Sequence, residues 1–156
     1  MKIKELMTKT VYSVNKNQSL NEAAKLMWEH DCGWLPVLDE NNKVIATVTD
    51  RDIAMAAFLN GKGLADIPVT MAESKSVIAC RPEDDIKATE EIMKSNQIRR
   101  IPIIDKSSSL VGIVSLNDIA LAYQAGNKDV DAMGVSETLA GICSHTHKVH
   151  SMAAVA

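Results

Sequence analysis

Apolar positions along this chain fall into helical and strand periods, and the order of those periods occurs twice. Val11-Tyr12-Ser13-Val14 reads as a brief strand. Ser19 with Glu22 three residues on has the form of a capping box. Behind it Leu20, Ala23, Ala24, Met27 and Trp28 recur at helical spacing, which predicts a helix to about His30. After Gly33, Trp34-Leu35-Pro36-Val37-Leu38 and Val44-Ile45-Ala46-Thr47-Val48 are short apolar runs around the turn formers Asp39-Glu40-Asn41-Asn42, hence a hairpin. A helix from near Asp50 should carry Ile53, Ala54, Ala57 and Phe58 inward and stop by Gly61.

Past a connector with Gly61, Gly63 and Pro68, the pattern restarts. Val77-Ile78-Ala79-Cys80 is strand-like, and Pro82 with Glu83, Asp84 and Asp85 suits a helix start whose apolar side holds Ile86, Ile92 and Met93. Arg100-Ile101-Pro102-Ile103-Ile104 and Leu110-Val111-Gly112-Ile113-Val114 flank a Ser-rich turn, and a helix over about 116–125 follows. One offset of 66 positions serves throughout without a gap: Val11 meets Val77, Met27 meets Met93, Pro36 meets Pro102, and Asp52-Ile53-Ala54 meets Asp118-Ile119-Ala120. Each unit reads β-α-β-β-α and is too small to bury a good core alone, so the two should pack together. The expected fold is α/β (α+β): two tandem repeats in a pseudo-two-fold module over 1–60 and 76–126, joined by a linker over 61–75. A C-terminal helix and tail follow over 127–156.

Bulk composition narrows the function classes. A chain of 156 residues with 46% apolar and 24% charged side chains is ordinary for a soluble globular protein. The net charge of −3 gives no basic footprint for nucleic acid, and five aromatics offer little base-stacking surface. No apolar run is long enough to span a membrane, and the start lacks the apolar core of a secretory signal, so a cytoplasmic location is expected. Three scattered cysteines form no disulfide framework.

The candidate chemistry sits where each hairpin meets its helix, at Thr49-Asp50-Arg51-Asp52 and Ser115-Leu116-Asn117-Asp118. A strand ending at a helix start leaves unpaired N–H groups and a positive dipole end where an anion can sit. A carboxylate three residues on can accept two hydrogen bonds from a ribose diol, and the hydroxyl can bond phosphate or ribose. The same spacing is also that of a capping box, and the two roles can coexist. In the second half Arg99-Arg100 precedes Ile101-Pro102, where a cation can pair with phosphate. Paired arginines also suit a solvated strand edge or a dimer contact. The aligned pair in the first half, Gly33-Trp34, is uncharged. Trp34 can stack on a base, although a large apolar residue opening a strand is more often core, and Arg51 is the alternative cation there. No nucleophile–base pair is visible, so no enzyme activity is expected.

The Leu6-Met7-Thr8 lead, the Leu35-Pro36-Val37 and Ile101-Pro102-Ile103 strands and the two hydroxyl-x-x-Asp turns, in this order and duplicated, resemble a tandem pair of cystathionine-β-synthase-type (CBS) domains over about residues 1–125. Arg99 to Pro102 with Ser115 to Asp118 resembles the nucleotide-binding repeats in the γ subunits of AMP-activated kinase. The resemblance implies a stand-alone regulatory module that forms flat homodimers. It implies adenine ligands (AMP, ADP, ATP, NAD or S-adenosylmethionine) in clefts between the repeats and a state signalled to an unknown protein partner. The nucleotide-binding residues it implies in the first half are Thr10, Val11, Trp34, Leu35, Pro36, Thr49, Arg51 and Asp52. In the second half they are Ser76, Val77, Arg99, Arg100, Ile101, Pro102, Ser115, Asn117 and Asp118. The Ser115/Asp118 cleft is expected to be the better phosphate site. No resident cofactor is required.

In the tail, Val135, Leu139 and Ile142 suggest a short amphipathic helix, and Cys143, His145, His147 and His150 follow it closely. Four such ligands fit a tetrahedral zinc site by count, although their spacing matches no zinc-finger pattern and a mobile tail is the plainer reading. The rival expectation is a ligand-free interaction module acting through its dimer surface and this tail.

Overall fold

The computed structural model describes residues 1–74 and 76–144. The first repeat comprises β1 (Val14–Asn15), α1 (Leu20–Glu29), β2 (Trp34–Leu38), β3 (Val44–Thr49) and α2 (Asp50–Asn60). The second comprises α3 (Ile86–Asn96), β4 (Arg100–Ile104), β5 (Leu110–Ser115) and α4 (Leu116–Gln124), and α5 (Ala132–Cys143) follows.

The duplication holds down to single dihedrals and hydrogen bonds. The β2–β3 and β4–β5 hairpins are antiparallel, with matching registers (Leu35 opposite Val48, Ile101 opposite Val114) and an irregularity at the same place, Val37/Leu38 and Ile103/Ile104. Each turn is tied by an aspartate: Asp39 Oδ1 accepts the N–H groups of Asn41 and Lys43 at 2.8 and 2.9 Å, and Asp105 Oδ1 those of Ser107 and Ser109 at 2.8 and 2.9 Å. These bonds hold both carboxyls below the usual aspartate range, through the Lys43 amide first at Asp39 and the Ser107 hydroxyl first at Asp105. Asn42 (φ 58°) and Ser108 (φ 67°) are the equivalent left-handed residues that close the turns. α1 begins as its sequence predicts, since the Ser19 hydroxyl accepts the Glu22 N–H and the Glu22 carboxylate accepts the Ser19 N–H at 2.8 Å.

Regular strand structure is shorter than expected at two places. Over 11–14 only Val14 joins a strand, pairing parallel with Val37, and over 77–80 only Cys80 bridges, to Ile103. Two helix faces also differ. Leu20, Ala23 and Met27 are buried, but Trp28 is 88% exposed; Ile53 and Ala56 turn inward, while Ala54 and Phe58 point out. Both helices carry apolar residues on a second side, and their period does not say which side meets the chain's own core. α5 starts at Ala132, earlier than the apolar stripe suggests, because Asp131 caps it by accepting the Gly134 N–H at 2.7 Å.

Two apolar cores result, and each recruits chain from beyond its own repeat. The first contains Leu20, Met27, Leu35, Val37, Val48 and Ile53 together with Ile67 and Val69, from the segment that connects the repeats. The second contains Ile86, Met93, Ile101, Ile103, Val114 and Ile119 together with Ile3, from the N-terminal lead, and Val130 and Ile142. Backbone bonds fix both crossings. Ile3 N–H donates to Asp84 C=O, and Thr8 and Ile113 exchange both bonds at 2.9 Å, while Leu20 N–H donates to Ile67 C=O and Ser74 N–H to Thr47 C=O, each at 2.8 Å. Each fully buried aliphatic side chain contributes about 1.5–3 kcal/mol, so these recruits matter to both cores.

Candidate functional site

Both hydroxyl-x-x-Asp turns are realised as capping boxes. The Thr49 hydroxyl accepts the Asp52 N–H at 3.1 Å, and Asp52 Oδ2 accepts the Thr49 N–H and hydroxyl at 2.9 and 2.6 Å. In the second repeat the Ser115 hydroxyl accepts the Asp118 N–H at 3.2 Å, and Asp118 Oδ2 accepts from Ser115 N–H and hydroxyl at 2.7 and 2.5 Å. Each box uses one carboxylate oxygen. In the bonds formed among the described residues, Oδ1 of Asp52 and of Asp118 keeps its acceptor capacity. Capping therefore leaves both aspartates able to accept from a ligand hydroxyl.

What surrounds the boxes differs. Arg100 lies directly opposite Ser115 in the hairpin, and the Leu116 N–H donates to the Arg99 C=O at 3.0 Å, which brings both arginines to the start of α4. Trp34 likewise faces Thr49, and the Asp50 N–H donates to the Gly33 C=O at 3.3 Å. There the Asp50 carboxylate leans over Gly33: a Cβ on Gly33 would meet its Oδ2 at 2.7 Å, so a longer side chain there must displace it. Asp50 Oδ1 accepts the Arg51 N–H at 2.7 Å, so this acid already serves the helix start. The first turn thus gathers Asp50, Arg51 and Asp52, a net negative set, and the second gathers Arg99, Arg100 and Asp118, a net positive one.

The other sequence-identified residues divide into walls and approaches. Leu35, Pro36, Ile101 and Pro102 are buried within the hairpins, and Trp34 is 8% exposed, the core role rather than an open stacking face. Asn117 is exposed on the first turn of α4. Exposed Thr10 and half-buried Val11 lie where the lead passes from its pairing at Ile113 to β1, and exposed Ser76 and half-buried Val77 lie where the connector passes from Thr47 to the second repeat. These four residues therefore line the passages between repeats.

Sequence reading missed one further asymmetry. Beside Ser76 and Ile78 a hollow of about 510 Å³ is lined also by Lys94 to Gln97 and Ser144. At the positions 66 earlier, Tyr12 replaces Ile78 and His30 replaces Asn96, and those two rings stack at 3.5 Å and 7°. The signal was available, since Tyr12 and His30 align at the same offset with Ile78 and Asn96, which share no ring.

Cys143 is exposed at the end of α5, and His145, His147 and His150 lie outside the described residues. Among the described residues no cluster of three or more His, Cys, Asp or Glu side chains could hold a metal. The three cysteines are free, and burial pushes the Cys80 thiol up, which makes it inert. No helix among the described residues is long and apolar enough to cross a membrane.

Two matched hairpin-and-helix units exchanging their leads define a tandem pair, and comparison with known proteins identifies the class. The CBS domain profile matches residues 3–58 and 65–125, and the chain belongs to the CBS domain family. The CBS domain-containing protein YhcV of Bacillus subtilis is 37% identical over 119 residues, spanning 76% of this chain and 83% of that protein. Among solved structures, the CBS domain pair of protein MJ0100, in complex with 5′-methylthioadenosine and S-adenosyl-L-methionine, superposes with a TM-score of 0.73 at 26% identity, covering 81% of this chain and 98% of that one. Hypoxic Response Protein I, with two coordinated zinc ions, gives a TM-score of 0.70 at 28% identity over 78% of this chain and 98% of that one. CBS pairs of this fold thus include one that holds 5′-methylthioadenosine and S-adenosyl-L-methionine.

Proposed function

We propose that this chain is a non-enzymatic sensor that binds an adenine nucleotide or S-adenosylmethionine in the cleft at Ser115–Asp118 and passes the bound state to a partner protein, acting as a homodimer. The carrying observation is the juxtaposition of Arg99 and Arg100 with the α4 N-terminus and the uncommitted Asp118 Oδ1. The arginines would pair with the anionic part of the ligand, and Asp118 would accept from its ribose hydroxyls. The adenosyl ligands of the MJ0100 pair support the ligand class. In the first cleft the acidic Asp50 and Asp52 and the Tyr12–His30 stack favour a weaker site.

Thermal melts with AMP, ADP, ATP, NAD and S-adenosylmethionine test this directly. A ligand at a hundred times its dissociation constant adds about 2.7 kcal/mol of stability. A panel in which none shifts the melt, or a shift that survives Arg99→Ala/Arg100→Ala together with Asp118→Ala, removes the assigned site. A silent panel favours the interaction-module reading instead, for which the exposed apolar surface of the first repeat is the supporting observation.

A further inference from the structure

α5 has no counterpart in the first repeat. The positions 66 earlier, 66–77, belong to the connector and its exit, where only 3₁₀ turns form among the described residues. Between α1 and α2 lies an open apolar groove of about 820 Å³, with Met27, Ile53 and Ala57 in its walls. In the second repeat α5 packs on both α3 and α4 and joins Ile142 to the core of Met93, Ile119 and Val130. The repeats also share a hinge. Asp31 (φ 48°) and Gln97 (φ 54°) are equivalent left-handed residues after α1 and α3, and the same bond follows each, Cys32 N–H to Met27 C=O at 3.0 Å and Ile98 N–H to Met93 C=O at 3.1 Å. The second hinge is tied to a further helix. The Gln97 side-chain amide donates to the C=O of Ser144, the residue that ends α5, and to its hydroxyl at 3.1 Å.

We propose that α5 is a strut for the ligand cleft: docked on α3 and α4, it holds the Gln97 hinge and so places Arg99 and Arg100 at the start of α4. This rests on ligand binding at Ser115–Asp118, and it names a positioning residue for that site and the element that senses its occupancy. Arg99 lies two residues past Gln97, and its C=O accepts the Leu116 N–H at 3.0 Å, so a turn at the hinge moves the arginines relative to Ser115 and Asp118. A left-handed glutamine is a soft joint, because its Cβ disfavours that conformation unless the surroundings hold it. Ser144 holds it from one side, and shares the hollow beside the joint with Ser76, a residue of the passage between the repeats. A ligand that pairs with the arginines orders less of the chain when the joint is already fixed. The effect is reciprocal: a bound ligand must hold α5 down by the same factor by which docked α5 tightens the ligand.

The seat of α5 lets the helix leave. A Cβ on Gly141 would meet Lys94 Cγ at 2.9 Å and one on Gly134 would meet Lys87 Nζ at 3.0 Å, so both glycines allow the close approach to α3. Lys87 pairs with Asp131 at 2.7 Å and pins the start of the helix. Facing Gly134 is the Glu90 carboxyl, 5% exposed, with Oε2 3.7 Å from Lys87 Nζ and Oε1 without a hydrogen-bond partner among the described residues. Thr138, also buried, turns its hydroxyl back to its own helix and donates to the Gly134 C=O at 2.7 Å. Undocking returns the Glu90 carboxyl to water and offsets part of the lost Ile142 burial, so α5 opens at a lower cost than an all-apolar seat would set. A helix held in this way can respond to a ligand.

Calorimetry of the full chain with AMP, ATP and S-adenosylmethionine, together with hydrogen exchange of α5 read by mass spectrometry, tests this. A bound probe should slow exchange of the α5 amides about tenfold, and by more than it slows those of α1. Gln97→Gly suits the left-handed backbone but removes the bond to Ser144. It should weaken the probe about tenfold and abolish the effect of the probe on α5. Gly141→Val, which pushes α5 off Lys94, should weaken the probe equally, and the double variant no further, because both changes remove one coupling. Should Gly141→Val unfold, the two measurements on Gln97→Gly still decide. Binding of none of the three probes ends the sensor reading and this strut with it. A probe that binds the wild type without protecting α5, or that binds Gln97→Gly as tightly as the wild type, overturns the strut and spares the site. Losses that add in the double variant mean that Gln97 acts without α5, which overturns it as well.

Discussion

The two repeats share a backbone and use it in opposite ways. The first keeps its interhelical groove open and sets two carboxylates, Asp50 and Asp52, at its hairpin–helix turn; the second fills the groove with α5 and sets two guanidiniums there. Each repeat thus carries one apolar groove and one hairpin–helix turn, and duplication has let the two copies diverge at both. In the proposed function, ligand chemistry belongs to the half whose interhelical groove α5 fills.

The largest test of this contrast is in the cores. Met27 and Met93 are equivalent, but Met93 is fully buried beneath α5 while Met27 is 6% exposed in the wall of the open groove. Truncating a buried methionine to alanine costs about 2–5 kcal/mol, depending on how far the site can relax. Met93→Ala should fall near the top of that range and Met27→Ala near the bottom by urea denaturation, and equal losses would break the comparison. Next is ligand response. Asp118→Ala should abolish the ligand-induced gain of about 2.7 kcal/mol, whereas Asp52→Ala should keep it, both read as the shift each variant shows with and without nucleotide.

Smaller effects sharpen the comparison from the side of likeness. The capping boxes have nearly identical geometry, so Thr49→Ala and Ser115→Ala should each cost about 1 kcal/mol, and unequal losses would show that the turns differ in more than charge. Least is a pH effect confined to the α5 seat. Glu90 has a 5% exposed side chain, and its Oε1 is without a hydrogen-bond partner among the described residues. Burial raises its carboxyl above the usual range, Lys87 and Lys94 oppose that, and Asp131 adds to it. The folded state therefore holds this proton longer than the unfolded chain, and stability falls as pH rises from about 4.3 through the raised value. Asp131, lowered by its bond to Lys87, acts in the opposite sense and below the ordinary aspartate range, so the windows separate. Glu90→Gln should flatten the slope above pH 4.3 and add up to about 1 kcal/mol at neutral pH; an unchanged slope would show that Glu90 is not its source.

Much of this contrast was written in residue types, and the part that was not has a physical reason. Ser19 with Glu22, Thr49 with Asp52 and Ser115 with Asp118 announce helix starts because capping is local chemistry. Hairpins follow from apolar runs around Asp39 and Asp105, and the offset ties the halves together. Ala54 and Phe58, expected inward, point out because a helix that is apolar on two sides has the same period whether the second side meets its own chain or something else. The Asp50 carboxylate over Gly33 was invisible for a different reason: it is a close approach between neighbouring strand ends that no spacing records. The destinations of residues 1–8 and 61–74 were equally hidden, because short irregular leads carry no mark of which hairpin they will join.

Those crossed leads also set the order in which the molecule can assemble. Lys2 reaches Asp85 across 83 residues, so this lead has no seat until the second repeat exists. Closing so long a loop costs only logarithmically in length, yet it delays every contact that depends on it. The first repeat likewise waits for Ile67 and Val69 before its core is complete. Neither half is a self-sufficient folding unit, and a chain cut between them should need both pieces in the same solution before either one becomes native.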